Sequence, residues 1–130
     1  MDLRTQHHMK NILVIDDENI TRSLIHICLT DEGYSVKVAE SGKQGLELFK
    51  EEKFDLVITD ILMPDKTGVE LIPELLDVYT VPIIAISGGR RKTFNSDHIL
   101  ESAQASGATI TLKKPISNNI LCKTVKKLLD

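Results

Sequence analysis

Apolar and polar residues alternate along the chain with two different periods, and the change of period marks the predicted secondary structure. Short aliphatic or alternating runs are typical of strands, whereas apolar residues three or four positions apart are typical of helices. The five predicted strands cover residues 11–15, 34–39, 56–59, 83–86 and 109–112. A helical pattern follows each strand, so the sequence predicts five consecutive strand–helix units.

The predicted helices have recognisable first and last residues. The first covers residues 18–32 and stops at Gly33. Its helical stripe of apolar residues is Ile20, Leu24, Ile27 and Cys28. The third covers residues 68–78 and contains Pro73, which cannot donate a backbone hydrogen bond to Val69. Side chains that cap helices open the other three, namely Ser41, then Asn95 or Ser96, and finally Ser117.

The order of the elements predicts the fold class. The first, third and fourth strands are almost continuously apolar, as expected when helices cover both faces of a parallel sheet. Five alternating strand–helix units therefore indicate an α/β protein with a doubly wound, five-stranded parallel sheet of the flavodoxin-like (βα)5 type. We expect residues 1–9 to form a flexible N-terminal arm and residues 10–130 to form the domain.

Composition and charge narrow the class of protein. The 130 residues suit one domain, and 42% are hydrophobic and 27% charged. No apolar stretch could cross a bilayer and the first residues lack a secretory signal, so we expect a cytoplasmic protein with no membrane partner. The net charge of −3 argues against direct binding of nucleic acid. Cys28 and Cys122 match no zinc or redox spacing and are expected to be reduced, half-buried thiols.

Chemically active side chains follow four of the predicted strands. Ligands of doubly wound sheets bind beyond the carboxyl ends of the strands. The residues that the sequence brings to this edge are Asp16, Asp17 and Glu18 after the first strand, Asp60 after the third, Ser87, Gly88 and Gly89 after the fourth, and Lys113, Lys114 and Pro115 after the fifth. Each residue alone has an ordinary explanation as a cap, a turn or a surface charge. Their joint occurrence in order indicates a site.

The chemistry of this set favours a divalent cation and phosphorus. Crowded carboxylates repel one another unless a cation is present, and all-oxygen ligands suit Mg²⁺, with Mn²⁺ as an alternative. The carboxylate of Asp60 can then attack phosphorus in line and form an acyl phosphate. Lys114 would supply a positive charge to the phosphoryl group and Ser87 a hydroxyl donor. The chain contains neither a P-loop nor a dinucleotide-binding glycine pattern.

Four segments carry a resemblance to a known family: "ILVIDDE", "DLVITDILMPDKTG", "IIAISGG" and "LKKP". Because of these segments, residues 10–130 resemble the receiver domain of two-component response regulators. The resemblance implies that Asp60 is the phosphoacceptor and that a histidine kinase or a histidine phosphotransfer protein supplies the phosphoryl group. It implies a signalling switch that turns over no external substrate and passes the signal to a protein target.

The resemblance also assigns roles to the other members of the set. Mg²⁺ would be bound by Asp17, Asp60 and the backbone carbonyl of Leu62, while Asp16 would act largely through water. Ser87 would be the switch hydroxyl. Lys114, directly before a proline, would be the lysine of the family.

Two features depart from the family pattern. Family members usually carry an aromatic residue three places before the lysine, and Thr111 occupies that place here. Residues 88–97, "GGRRKTFNSD", form a longer and more basic segment than a tight strand–helix turn. We expect a solvated loop there, with a docking surface for an acidic partner as the alternative.

The chain ends after the fifth helix, so it is expected to be either a stand-alone receiver or one excised from a longer regulator.

Three other functions remain open from the sequence. A pseudo-receiver would bind partners without phosphotransfer. This interpretation remains open because Thr111 stands where the family usually has an aromatic residue. An aspartyl phosphohydrolase generally needs a second acid two residues after the nucleophile, a position held here by Leu62. A flavin- or nucleotide-binding module of the same fold is disfavoured by the repulsion between a phosphate and the acids after the first strand.

Overall fold

The computed structural model describes residues 9–88 and 96–130, and it has the predicted α/β architecture. The strands are β1 (Asn11–Ile15), β2 (Ser35–Ala39), β3 (Leu56–Asp60), β4 (Ile83–Ser87) and β5 (Ile110–Lys113). The helices are α1 (Asn19–Asp31), α2 (Gly42–Glu51), α3 (Gly68–Val78), α4 (Ser96–Ser106) and α5 (Asn118–Leu129). Nearly all of the arm predicted for residues 1–9 lies outside the described residues. Within them, no helix is both long and apolar enough to cross a bilayer.

The strands form one parallel sheet in the order β2-β1-β3-β4-β5. Strand β1 pairs with β2 on one side and with β3 on the other, so that Val14 lies between Val38 and Ile58. The direction in which the chain winds reverses between β1 and β3. Connections after these two strands leave toward opposite faces, which opens a crevice at their carboxyl ends.

Helices cover both faces of the sheet, as the continuous apolar strands predict. Alternate residues of a strand point to opposite faces, and the core is accordingly divided into two clusters. Leu13 and Val57 pack with the buried side chains of α2, α3 and α4, including Phe49. Ile12 and Ile58 pack on the other face with those of α1 and α5. The sheet is therefore doubly wound, as expected from the sequence.

The structure confirms two of the predicted helix caps. The side chain of Ser41 accepts a hydrogen bond from the backbone N–H of Gln44, and that of Ser117 accepts one from Ile120. These bonds satisfy amide groups that have no partner within their own helix. The predicted cap of α4, at Asn95 or Ser96, cannot be assessed because the segment before the helix lies outside the described residues.

Helix α1 differs from the usual amphipathic helix, because most of its predicted stripe lies on the surface. Ile20, Leu24 and Ile27 are 67%, 56% and 57% exposed, whereas Ile25 and Leu29 are buried. Apolar residues surround most of this helix, so their spacing alone does not specify the buried side. The stripe thus forms an exposed apolar surface, apart from its fourth member, Cys28, which is buried.

The loop between β3 and α3 is fixed by contacts on both sides. The carboxylate of Asp65 accepts hydrogen bonds from the backbone N–H groups of Gly42 and Lys43, at 3.1 and 2.8 Å, and so caps α2 from a distant part of the chain. At the other end of the loop, the N–H of Gly68 donates to the carbonyl of Ile61 at 2.6 Å. The chain directly after Asp60 therefore has little freedom to move.

A methyl group at Gly68 should disturb this loop. A Cβ there would lie 2.9 Å from the backbone Cα of Ile61, which cannot move without displacing the chain beside Asp60. Gly68→Ala is expected to lower the free energy of unfolding by about 1–3 kcal/mol, measured by urea denaturation. In the control Gly42→Ala, the new Cβ would meet side-chain rather than backbone atoms, the nearest being Cγ of Lys66 at 2.5 Å, and a change of the Lys66 rotamer can relieve this contact. Equal losses in the two variants would contradict the steric explanation.

Candidate functional site

The carboxyl ends of four strands bring the predicted site residues to one edge of the sheet. Asp16 directly follows β1, Asp60 and Ser87 are the last residues of β3 and β4, and Lys114 directly follows β5. Asp16, Asp60 and Ser87 are buried. The short apolar strands that end at these positions explain the arrangement, because parallel strands in register deliver their last residues to one place.

Three carboxylates gather at this edge. One carboxylate oxygen from each of Asp16, Asp17 and Asp60 lies within 4.8 Å of the other two. The side chain of Asp16 is held in place by its own loop, since its Oδ1 atom accepts a hydrogen bond from the N–H of Glu18 at 2.8 Å. The Oδ1 atom of Asp60 accepts one from the N–H of Leu62 at 3.2 Å.

Lys114 supplies the positive charge of the cluster. Its Nζ atom lies 3.2 Å from Oδ2 of Asp16 and 3.2 Å from Oδ2 of Asp60, and it also contacts the carboxylate of Glu18. The lysine side chain is only 6% exposed, so water screens these charges weakly. The peptide bond from Lys114 to Pro115 is cis.

Burial and charge shift the pKa values of the cluster. Burial raises the pKa of Asp60 to about 6, helped by the neighbouring charge of Asp16 and opposed by Lys114 and the amide of Leu62. Burial also raises the pKa of Asp16. For Lys114, burial lowers the pKa, but the contacts with Glu18, Asp60 and Asp16 outweigh it and the pKa lies above its usual value. The lysine therefore remains protonated, while ionisation of Asp60 costs energy.

Two buried polar atoms of the site make no hydrogen bond within residues 9–88 and 96–130. They are Oδ2 of Asp16 and Oγ of Ser87. The Asp16 oxygen lies near the lysine ammonium, but only as an ion pair. Buried oxygen atoms nearly always have a partner, so the Ser87 hydroxyl is suited to a ligand. The carboxylate oxygens of Asp16, Asp17 and Asp60 are hard ligands of the kind that Mg²⁺ prefers. The Ser87 hydroxyl can donate a hydrogen bond to an anionic oxygen such as that of a phosphoryl group.

A pocket of about 520 Å³ opens over the Asp60 carboxylate. Its lining residues are Asp17, Glu18, Asn19, Ile20, Asp60, Leu62 and Gly88. Gly88 has a φ of +117°, and a Cβ there would lie 3.3 Å from backbone atoms of Lys114. The glycine thus lets the chain after β4 pass close to the lysine. The pocket therefore connects the largely buried carboxylate of Asp60 to the surface.

Glu18 also belongs to the site, although the sequence predicted no role for it. It is the N-cap residue of α1, and its carboxylate contacts Lys114, which is 96 residues away in sequence. Its place in the acidic run after β1 was the only sign of this in the sequence.

Thr111 lies on β5 opposite Ala85 of β4. Most of the basic segment, residues 89–95, lies outside the described residues.

Comparison with known proteins supports the family assignment. The family model for the response regulator receiver domain matches residues 12–126. The chain is 34% identical over 119 residues to the response regulator RR06 of Streptococcus pneumoniae, covering 92% of this chain and 52% of that protein. Other curated relatives are transcriptional regulatory proteins. The chain spans about half or less of the length of the first curated relatives that it matches.

Solved structures have the same fold. A CheY-like response regulator receiver domain protein from Methanospirillum hungatei superposes with a TM-score of 0.85 at 28% identity, covering 94% of both chains. A response regulator from Burkholderia pseudomallei, whose crystal structure contains a phosphorylated aspartic acid and a calcium ion, superposes with a TM-score of 0.77 at 27% identity. That match covers 93% of this chain and 66% of the other. With its doubly wound sheet and its gathered acids, this chain belongs to the family of response regulator receiver domains of two-component signal transduction.

Proposed function

We propose that the chain is a phosphorylation-dependent signalling switch in which Asp60 accepts a phosphoryl group from a histidine kinase or a histidine phosphotransfer protein. The observation that carries this proposal is the setting of the Asp60 carboxylate. One of its oxygens faces the Lys114 ammonium at 3.2 Å, and the residue lines a pocket open to a donor. The phosphorylated aspartic acid of the Burkholderia pseudomallei relative supports the same chemistry.

In the proposed transfer, a carboxylate oxygen of Asp60 attacks the phosphorus of a phosphohistidine. The new P–O bond forms as the P–N bond breaks, and the electron pair of that bond returns to the imidazole nitrogen. Lys114 and the N–H of Leu62 hold the carboxylate in position through the bonds described above. The lysine ammonium is already in place and is almost fully buried. It can therefore attract the transferring oxygens with little rearrangement.

Mg²⁺ is the proposed cofactor, with Mn²⁺ as the alternative. The carboxylates of Asp17 and Asp60 and the backbone carbonyl of Leu62 would hold the ion, and Asp16 would act largely through water. When bound, the ion offsets negative charge on the transferring oxygens. The three gathered carboxylates support this role, since their mutual repulsion favours a cation.

The change in charge at Asp60 is the proposed signal. Phosphorylation replaces the single negative charge of the carboxylate with an acyl phosphate that carries up to about two negative charges and offers strong acceptor oxygens. The hydroxyl of Ser87 can donate to these oxygens, and Lys114 can turn toward them. The two residues are already coupled, because the N–H of Lys114 donates to the carbonyl of Ser87 at 2.7 Å. We propose that this pair shifts the surface formed by α4, β5 and α5, without the aromatic side chain that Thr111 replaces.

The exposed stripe of α1 is the proposed docking surface for the phosphoryl donor. Ile20 lines the pocket above Asp60, and Leu24 and Ile27 continue the apolar surface along the same helix. Exposed apolar side chains at this spacing suit the packing of a partner helix. A helix that carries phosphohistidine and lies on this stripe would reach the pocket directly.

The alternatives are less well supported. A phosphohydrolase would need an acid where Leu62 stands, and Leu62 can contribute no proton to a leaving group. A pseudo-receiver would have no need for the buried lysine that pairs with two acids. We therefore propose that the chain turns over no external substrate. Its output is the binding of a protein target rather than direct contact with nucleic acid, in keeping with its net charge of −3.

Acetyl phosphate tests the phosphoacceptor directly. With Mg²⁺, the wild-type protein should gain the mass of one phosphoryl group, and Asp60→Asn should gain none because an amide is not a nucleophile for phosphorus. Intact-mass spectrometry measures both. Asp77→Asn, which changes an exposed acid on α3, is the matched control and should still be labelled. Labelling of Asp60→Asn, or none of the wild type, would contradict the proposal.

Thermal melting tests the metal site. A ligand that binds only the folded state at a hundredfold excess over Kd adds about 2.7 kcal/mol of stability. The melting temperature of the wild-type protein should therefore rise with Mg²⁺ concentration, and Asp17→Asn should require a much higher concentration for the same rise. Glu47→Gln, an exposed acid on α2, should behave like the wild type. A wild-type melting temperature independent of Mg²⁺ would exclude the site.

The raised pKa of Asp60 predicts the pH dependence of stability without metal. Its pKa is 3.8 when unperturbed and about 6 in the fold, so ionisation destabilises the fold as the pH rises from about 4 through 6. Asp60→Asn removes this loss and should be about 1–3 kcal/mol more stable than the wild type at pH 7.5. Urea denaturation in a chelator at several pH values measures the difference. The gain should shrink at pH 4, and a gain that does not vary with pH would contradict the explanation.

A further inference from the structure

A pair of thiols lies between α1 and α5, away from the pocket of Asp60. The Sγ atoms of Cys28 and Cys122 are 2.8 Å apart although the residues are separated by 94 positions in sequence. Both cysteines are free. A disulfide bond is about 2.05 Å long, so the two sulfurs need to approach by less than about 1 Å to form one. The sequence spacing gave no sign of this contact.

We propose that Cys28 and Cys122 are a modification site, at which a low-molecular-weight disulfide oxidises them to a reversible intramolecular disulfide. The two residues occupy facing positions of adjacent helices. Cys28 belongs to the buried cluster beneath the sheet face covered by α1 and α5, and Cys122 packs against that cluster from α5. Formation of the bond therefore joins helices that are already in contact, and the two sulfurs need to move only a short distance.

The reaction proceeds in two exchanges. Cys122, the more exposed of the two, attacks one sulfur of the external disulfide as a thiolate, which breaks that S–S bond and releases one thiolate of the reagent. Cys28, once deprotonated, then attacks the Sγ atom of Cys122 and expels the second thiolate. The two cysteines are oxidised, the reagent is reduced to two thiols, and the two cysteine protons pass to the released thiolates.

The surroundings of the pair set the speed of oxidation. Burial raises the pKa of the Cys122 thiol to about 12, and the hydrogen bond with Cys28 and the nearby carboxylate of Glu32 add to the rise. Little thiolate is therefore present at neutral pH, and exchange is slow. The pair should stay reduced during brief exposure to oxidant and respond to sustained oxidising conditions.

The bond would also fix a groove on the surface. A groove of about 480 Å³ runs between α1 and the chain around the start of α5, with Leu24 and Ile25 on one wall and Ile116 and Leu121 on the other. Cys28 lies one turn beyond Leu24, and Cys122 follows Leu121 in sequence. The disulfide would hold the two walls at a constant separation.

Oxidised glutathione is the probe for the test. After prolonged incubation, the wild-type monomer should lose the mass of two hydrogen atoms and should no longer react with N-ethylmaleimide under denaturing conditions. Dithiothreitol should restore both thiols. Because the cross-link closes a long loop, the melting temperature should rise by about 5–15 °C on oxidation. Cys122→Ala and Cys28→Ala should show no such rise, and Cys122→Ala leaves the buried cysteine in place if Cys28→Ala fails to fold.

Three results would overturn the proposal. The first is a wild-type protein that still reacts with N-ethylmaleimide at both cysteines after oxidation. The second is a stable mixed disulfide with glutathione on Cys122, because the second exchange would then have failed. The third is a disulfide-linked dimer on a non-reducing gel with no intramolecular product. None of these measurements depends on phosphorylation of Asp60, so they stand apart from the test of the proposed function.

Discussion

Two carboxylates buried side by side, Asp16 and Asp60, are the constraint on which the rest of the structure depends. Burial and mutual repulsion both disfavour their ionised forms. Lys114 offsets this cost with one ammonium group that lies 3.2 Å from an oxygen of each acid. The lysine comes from the other end of the chain, after β5. The charges can balance only if the whole sheet is formed, so the electrostatics of the site require the complete domain.

The order of the strands in the sheet, rather than any special local structure, places the two carboxylates and the lysine together. Its strand order places β1 and β3 side by side at the point where the winding reverses, and their last residues bring Asp16 and Asp60 together. The apolar residues before these acids are fully buried, which fixes the strands and hence the carboxylates. The loop after Asp60 is held by Asp65 and Gly68. The stretch "DLVITDILMPDKTG" therefore combines a buried strand, a reactive acid and the anchors of its loop.

Much of the fold and of the candidate site could be predicted because local patterns determine them. Continuous apolar strands imply two covered faces, and strand ends in a parallel sheet imply one shared edge. The remainder depends on contacts between distant residues. The exposed face of α1 could not be predicted, since its apolar residues surround most of the helix. The contact of Glu18 with Lys114 and that of Cys28 with Cys122 join residues more than 90 positions apart. Periodicity carries no information about such pairs.

The sharing of Lys114 explains how a local reaction could have a distant effect. The Lys114 ammonium contacts the carboxylates of Asp16, Glu18 and Asp60, so no single contact determines its position. If Asp60 accepts a phosphoryl group as proposed, the strongest negative charge moves outward from the sheet edge, and the lysine is drawn with it. Its backbone N–H donates a hydrogen bond to the carbonyl of Ser87. Ser87 ends β4 and Lys114 directly follows β5, and these two strands pair along their length. In the proposed switch, a shift of the lysine would act on β4 and β5 together. The helices that flank β5 would receive the change through the packed backbone rather than through an aromatic side chain.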